Sequence, residues 1–74
     1  MPDSLAEHLL RRMNEGGRAT YAAPDLASAL AAPLVDTYTC LDALELSGHV
    51  VRVPGSEPRT YALTYLGMER ATAA

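Results

Sequence analysis

Pro54 and Pro58 bracket a turn, Pro54-Gly55-Ser56-Glu57-Pro58, between two runs that have the chemistry of strands. Val50-Val51-Arg52-Val53 is rich in β-branched residues, which suit a pleated, half-buried surface. Arg59 to Thr64 pairs back on it, with Tyr61 and Leu63 on one face. Proline has no amide hydrogen for a ladder, so neither run extends as paired strand through the turn. A hairpin is therefore expected late in a chain whose earlier residues carry helical spacing. A few helices closed by one hairpin have few ways to build a common core.

The helical signals are local and strong. Ser4-Leu5-Ala6-Glu7 has the form of a capping box, in which the Ser4 hydroxyl accepts from the Glu7 amide and the Glu7 side chain reaches back. Leu5, Leu9 and Met13 follow at helical spacing, with Leu10 widening the stripe. Arg11 and Arg12 are expected in the last turns, where cations suit the helix dipole, and Gly16-Gly17 stops the helix. Arg18-Ala19-Thr20-Tyr21 reads as short and extended. A second helix opens with Pro24 at its first position and Asp25 in its first turn, with Leu26, Ala27 and Leu30 inward. Ala31-Ala32-Pro33 breaks it, because Pro33 disfavours helical geometry at the residue before it. A third helix runs from Pro33 or Leu34 to Ser47, with Leu34, Thr37, Leu41 and Leu44 inward. Gly48 suits the left-handed residue that ends it. Thr64 is placed to cap a last short helix through Arg70, ahead of a frayed tail from Ala71 to Ala74.

A chain of 74 residues is expected to form one domain, 1–74. At that length it buries only about 60% of its unfolded surface, so the core is thin. There is no Trp or Phe, which leaves Leu, Ala and Val with Tyr as the only large ring. Cys40 is the single cysteine, so no internal disulfide forms, and a reducing, cytoplasmic setting is expected. No apolar run approaches a membrane span, and Met1 is not followed by a signal-peptide pattern.

The order helix, short strand, helix, tight turn, helix, hairpin resembles winged helix-turn-helix domains such as the MarR-like and PadR-like regulators. The resemblance rests on Leu44-Glu45-Leu46-Ser47-Gly48-His49-Val50, similar to the end of that family's recognition helix. It rests also on Arg59-x-Tyr61-x-Leu63-Thr64-x-x-Gly67, similar to the second wing strand running into a capped turn. It implies an α+β fold of three helices, a two- or three-stranded β-wing and a short C-terminal helix. Helix 1 would span 1–17, the helix-turn-helix 18–48, the wing 49–64, and the last helix and tail 65–74. It further implies a DNA-binding transcriptional regulator, with the third helix in the major groove and the wing along the backbone. Carried over by position, Val35, Asp36, Tyr38, Thr39 and Asp42 form the exposed face of that helix. Arg18, Arg52 and Arg59 are the cations around the wing.

Charge departs from that family pattern. Between Asp25 and Gly48 stand Asp25, Asp36, Asp42 and Glu45, with no Arg or Lys. The first 24 residues balance, Asp3, Glu7 and Glu15 against Arg11, Arg12 and Arg18. The last part carries Arg52, Arg59 and Arg70 against Glu57 and Glu69. The helix pair that should approach DNA thus holds more than the whole net charge of −3. Phosphate neutralisation supplies nearly all non-specific affinity, and Arg or Lys on guanine is the commonest base contact. Two partners follow: duplex DNA bound by a homodimer that doubles the few donors, or a basic protein surface docked on Asp25, Asp36, Asp42 and Glu45. Asp36 or Asp42 tied to Arg11, Arg12 or Arg18 would favour DNA. If a dimer forms, helix 1 and the turn bearing Tyr65, Leu66 and Met68 are its expected surface.

Arg52 and Arg59 can form a cross-strand pattern with Glu57, Tyr38 can be a partly buried core ring, and Cys40 can be a buried, inert thiol. His8 and His49 are isolated, so no metal site is expected. No paired acids, activated nucleophile or phosphate loop suggests catalysis, and no cofactor is implied.

Overall fold

A computed structural model describes residues 4–73. The elements are α1 (Leu5–Gly16), β1 (Tyr21–Ala22), α2 (Ala23–Ala29), α3 (Leu34–Leu46), β2 (Val50–Arg52), β3 (Thr60–Leu63) and α4 (Tyr65–Thr72). Met1, Pro2, Asp3 of the charge balance and Ala74 of the tail lie outside the described residues. No described helix is long and apolar enough to cross a membrane.

α1 starts where the Ser4 hydroxyl accepts from the Glu7 amide at 3.3 Å. The Glu7 carboxylate, expected to reach back to the cap, is turned to α4 instead. Its Oε1 accepts from Arg70 Nε at 3.0 Å and Nη2 at 2.9 Å, pinning α1 to α4. The helix runs on to Gly16, so Arg11 and Arg12 lie ahead of a last turn that holds no base. Leu9, Leu10 and Met13 are buried, and full burial of a leucine contributes roughly 1.5–3 kcal/mol. The end of α1 is closed by Tyr21, whose hydroxyl donates to the Met13 carbonyl at 2.9 Å and accepts from the Arg18 amide at 3.0 Å.

Tyr21 also begins β1, which starts three residues later and ends one residue later than the extended reading of Arg18 to Tyr21. The sheet order is β1-β3-β2, all antiparallel. β3 is the centre, with Tyr21 opposite Tyr61 on one side and Arg52 opposite Tyr61 on the other. The central place buries Tyr61 completely. Val50 sits beneath it with Leu9, Leu10, Leu26, Leu41 and Leu44.

α2 starts at Ala23, which puts Pro24 second rather than first. α3 buries Thr37, Leu41 and Leu44 as expected, but Leu34 is 42% exposed. It is the first residue of the helix and is entered from exposed Ala31 and Pro33, so the buried stripe begins one turn later. α3 ends at Leu46, with Gly48 at φ 84° and the His49 amide donating to the Leu44 carbonyl at 2.9 Å. Thr64 caps α4 as expected, accepting from the Gly67 amide at 3.0 Å. α4 continues to Thr72, past the expected end at Arg70. Gly67 has no room for a side chain, since a Cβ there would run into the His49 carbonyl and Leu63. Four helices and a three-stranded antiparallel sheet make a small α+β winged helix.

Candidate nucleic-acid interface

The turn between α2 and α3 is made without glycine. Ala31 takes φ 52°, a conformation that costs an L-residue roughly 1–2 kcal/mol. The Ala32 amide donates to the Ala27 carbonyl at 2.9 Å and the Ala31 amide to the Ser28 carbonyl at 3.2 Å, satisfying the end of α2. Pro33 then caps α3, and its carbonyl accepts from both the amide and the hydroxyl of Thr37, each at 3.0 Å.

Directly opposite the buried stripe of α3 lies an outer one: Val35, Thr39, Asp42 and Leu46, spaced four, three and four residues apart. Val35 is 74% and Leu46 91% exposed. The Thr39 hydroxyl donates to the Val35 carbonyl at 3.0 Å, so its proton is committed to the helix. Asp36 flanks this stripe, exposed, on one side; Tyr38 and Glu45 flank it on the other.

The wing comes back toward that face. In its turn the Ser56 hydroxyl donates to the Val53 carbonyl at 2.7 Å and accepts from the Thr60 amide at 3.0 Å. The turn delivers Arg59 to α3. Its Nη1 donates to Asp42 Oδ1 at 3.3 Å and lies 3.5 Å from Oδ2, while its Cζ stands 5.2 Å from the Tyr38 ring centroid. The Tyr61 hydroxyl donates to the same Asp42 Oδ1 at 3.3 Å. Burial pushes the Tyr61 phenol above its ordinary range, against the pull of Arg59. Both partners of the Arg59–Asp42 pair remain half-exposed, so solvent screens it.

α3 and the wing frame a groove of about 460 Å³ lined by Val35, Tyr38, Thr39, Asp42, Glu57 and Arg59. It holds two carboxylates and one guanidinium. Of the residues expected to meet DNA, Val35, Tyr38, Thr39 and Arg59 come together here, with Asp36 exposed beside them. Arg52 is exposed on β2 but does not line the groove, and Arg18 lines a separate hollow with Met13, Leu63 and Met68. The tie from Asp42 to Arg11, Arg12 or Arg18 that would have favoured DNA does not form; Asp42 pairs with Arg59, on the wing. Arg59 in turn is held by Asp42 and not by the cross-strand pattern expected with Glu57. Tyr38 packs on the core and also sits under Arg59, which joins two readings held apart. Asp25, Asp36, Asp42 and Glu45 are all exposed. Cys40 is half-buried, its thiol pushed up by burial and by Asp36, and so less nucleophilic. Glu57 went unseen as a groove residue, since nothing in a turn sequence tells which way its side chain leans.

No protein-family model matches the chain, and no curated protein matches it. Solved structures do. The heme sensor protein PefR in complex with heme and carbon monoxide matches with a TM-score of 0.79 at 19% identity, over 93% of this chain and 49% of that one. PefR from Streptococcus agalactiae in complex with heme gives 0.78 at 19% identity, over 93% and 49%. MepR, a transcription regulator of the Staphylococcus aureus multidrug efflux pump MepA, gives 0.77 at 20% identity, over 92% and 51%. The likeness is one of fold, the winged helix-turn-helix. The chain spans about half the length of these structures.

Proposed function

We propose that this winged helix is a DNA-binding transcriptional regulator, with the outer stripe of α3 in the major groove and the wing along the backbone. The observation that carries the reading is the groove itself. An exposed helix face and an arginine-bearing hairpin share one concave surface, with Arg59 on its wall. The solved structures of like fold include a transcription regulator, which supports the same reading. Arg52, exposed on β2, is the remaining cation for phosphate on the wing side, and Arg18 is a further exposed cation beside its own hollow. A homodimer joined through α1 and the exposed Tyr65, Leu66 and Met68 of α4 would double these contacts. The test is anisotropy titration of a random-sequence duplex at low and raised salt, with the mass in solution. The reading expects micromolar binding by a dimer that fades as salt rises. Absence of binding at low salt would end it.

One observation favours a second reading, an α3 face docked on a basic protein surface. Asp25, Asp36 and Glu45 are exposed, and no ion pair among the described residues neutralises them. Binding to an arginine-rich peptide, lost in Asp36→Asn/Glu45→Gln, would support it where duplex DNA fails.

A further inference from the structure

The outer stripe of α3 has an unusual chemistry for a helix in the major groove. It offers a bare isopropyl group at Val35, and a hydroxyl at Thr39 whose proton is already given to the Val35 carbonyl. Asp42 on the stripe and Asp36 beside it add two carboxylates. Every hydrogen-bonding side chain that α3 presents there, apart from the Tyr38 phenol beneath Arg59, offers an acceptor. Each pair presents two acceptors and one amino donor in the major groove, the donor being adenine N6 or cytosine N4, so acceptors alone do not separate A·T from G·C. Thymine adds the 5-methyl group, which an apolar side chain can meet. Arg59 is the only cation lining the groove among the described residues, and it is engaged by Asp42 and the Tyr38 ring, not free for a base.

We infer that Val35 and Thr39 are the specificity-determining residues of this surface, and that they read A·T pairs through the thymine methyl group. Val35 packs on the methyl, and the free lone pairs of Thr39 accept from the adenine amino group of the same or the next pair. The inference rests on the DNA-binding reading above and adds the chemical identity of what is read.

Four duplexes of 30 base pairs test it at equal charge: alternating A–T, alternating A–U, alternating G–C, and alternating G–5-methylcytosine. Removing the thymine methyl takes away one buried methyl per contact, about fourfold in affinity. The expected order is A–T tightest, with A–U and G–C each weaker by about fourfold per contacted methyl. 5-Methylcytosine should restore part of the loss, because its methyl occupies the same groove position. Val35→Ala, at a solvent-exposed position, should bring A–T and A–U to the same affinity. Equal wild-type affinity for A–T and A–U overturns the inference while leaving DNA binding in place, as does an A–T preference that survives Val35→Ala. Failure to bind any of the four at low salt removes the DNA reading itself.

Discussion

Arg59 and Asp42, 17 positions apart, are joined by a 3.3 Å ion pair that ties the wing to α3. The pair neutralises the one acid on the outer stripe of α3 nearest the wing. It also occupies the one cation that lines the groove. A phosphate arriving there competes with a carboxylate already in place.

Asp42→Asn removes that competitor while keeping an oxygen to accept from Tyr61. The expected result is tighter duplex binding and a log–log salt slope steeper by about 1, as one more phosphate contact is made. Arg59→Ala in the same background should return the slope to its starting value. An unchanged slope in Asp42→Asn would show that Asp42 does not withhold Arg59 from phosphate.

Ala31→Gly relieves the positive φ of the helix-turn-helix corner. Glycine adopts it without a Cβ clash but loses more freedom on folding. The net gain expected is about 0.5–1 kcal/mol, read from urea midpoints at constant m-value. Destabilisation would mean that the Ala31 side chain makes a contact worth more than the strain.

Gly67→Ala places a methyl group against the His49 carbonyl, which is held in the sheet by the Thr64 amide. Overpacking of this kind costs about 1–3 kcal/mol. For a chain of this size that lowers Tm by about 4–8 °C per kcal/mol. Calorimetry decides it, and a Tm within a degree of wild type would contradict the packing described.

The alkaline limb of stability should carry the mark of Tyr61. Its folded pKa is raised above the ordinary 10.0 by burial, so the proton is held more tightly in the folded chain. Its contribution is whole below pH 10.0 and is lost as pH rises through the folded value. Cys40, raised from 9.0, acts with the same sign beginning lower. Tyr61→Phe should therefore flatten the upper part of the decline in chemical-denaturation curves between pH 9 and 11, and Cys40→Ser the lower part. A Tyr61→Phe profile parallel to wild type would count against a buried phenol.

What could be read from the sequence was what neighbouring residues decide among themselves. The Ser4 and Thr64 caps, the Gly48 stop and the Pro54–Pro58 turn depend on atoms a few positions apart, and each stands where its signal lay. The third strand of the sheet was legible only as an extended segment near Tyr21, because its partner, β3, arrives some forty residues later. Leu34 fits the helical period yet meets solvent, since periodicity gives the direction of a side chain and not whether anything stands there. The pairs Glu7–Arg70 and Asp42–Arg59 had no local signal at all. Charge spacing suggested where the acids of α3 would look for cations, but only the path of the wing turn determined which cation reached them. Val35, Tyr38, Thr39 and Arg59 were named by analogy of position, and it is the bend at Ser56 and Thr60 that brings them to one groove.

The central place of β3 has a consequence for how the chain comes together. Tyr21 and Ala22 have no ladder partner until Thr60 to Leu63 are available, and Glu7 finds Arg70 only 63 positions on. During synthesis at about 5–20 residues per second, α1 and the helix-turn-helix would wait some seconds for the strand that seats them. Until it emerges from the ribosome they hold an open apolar face. A truncated or stalled product ending in the wing turn would be a substrate for chaperones and proteases, not a smaller version of the same protein.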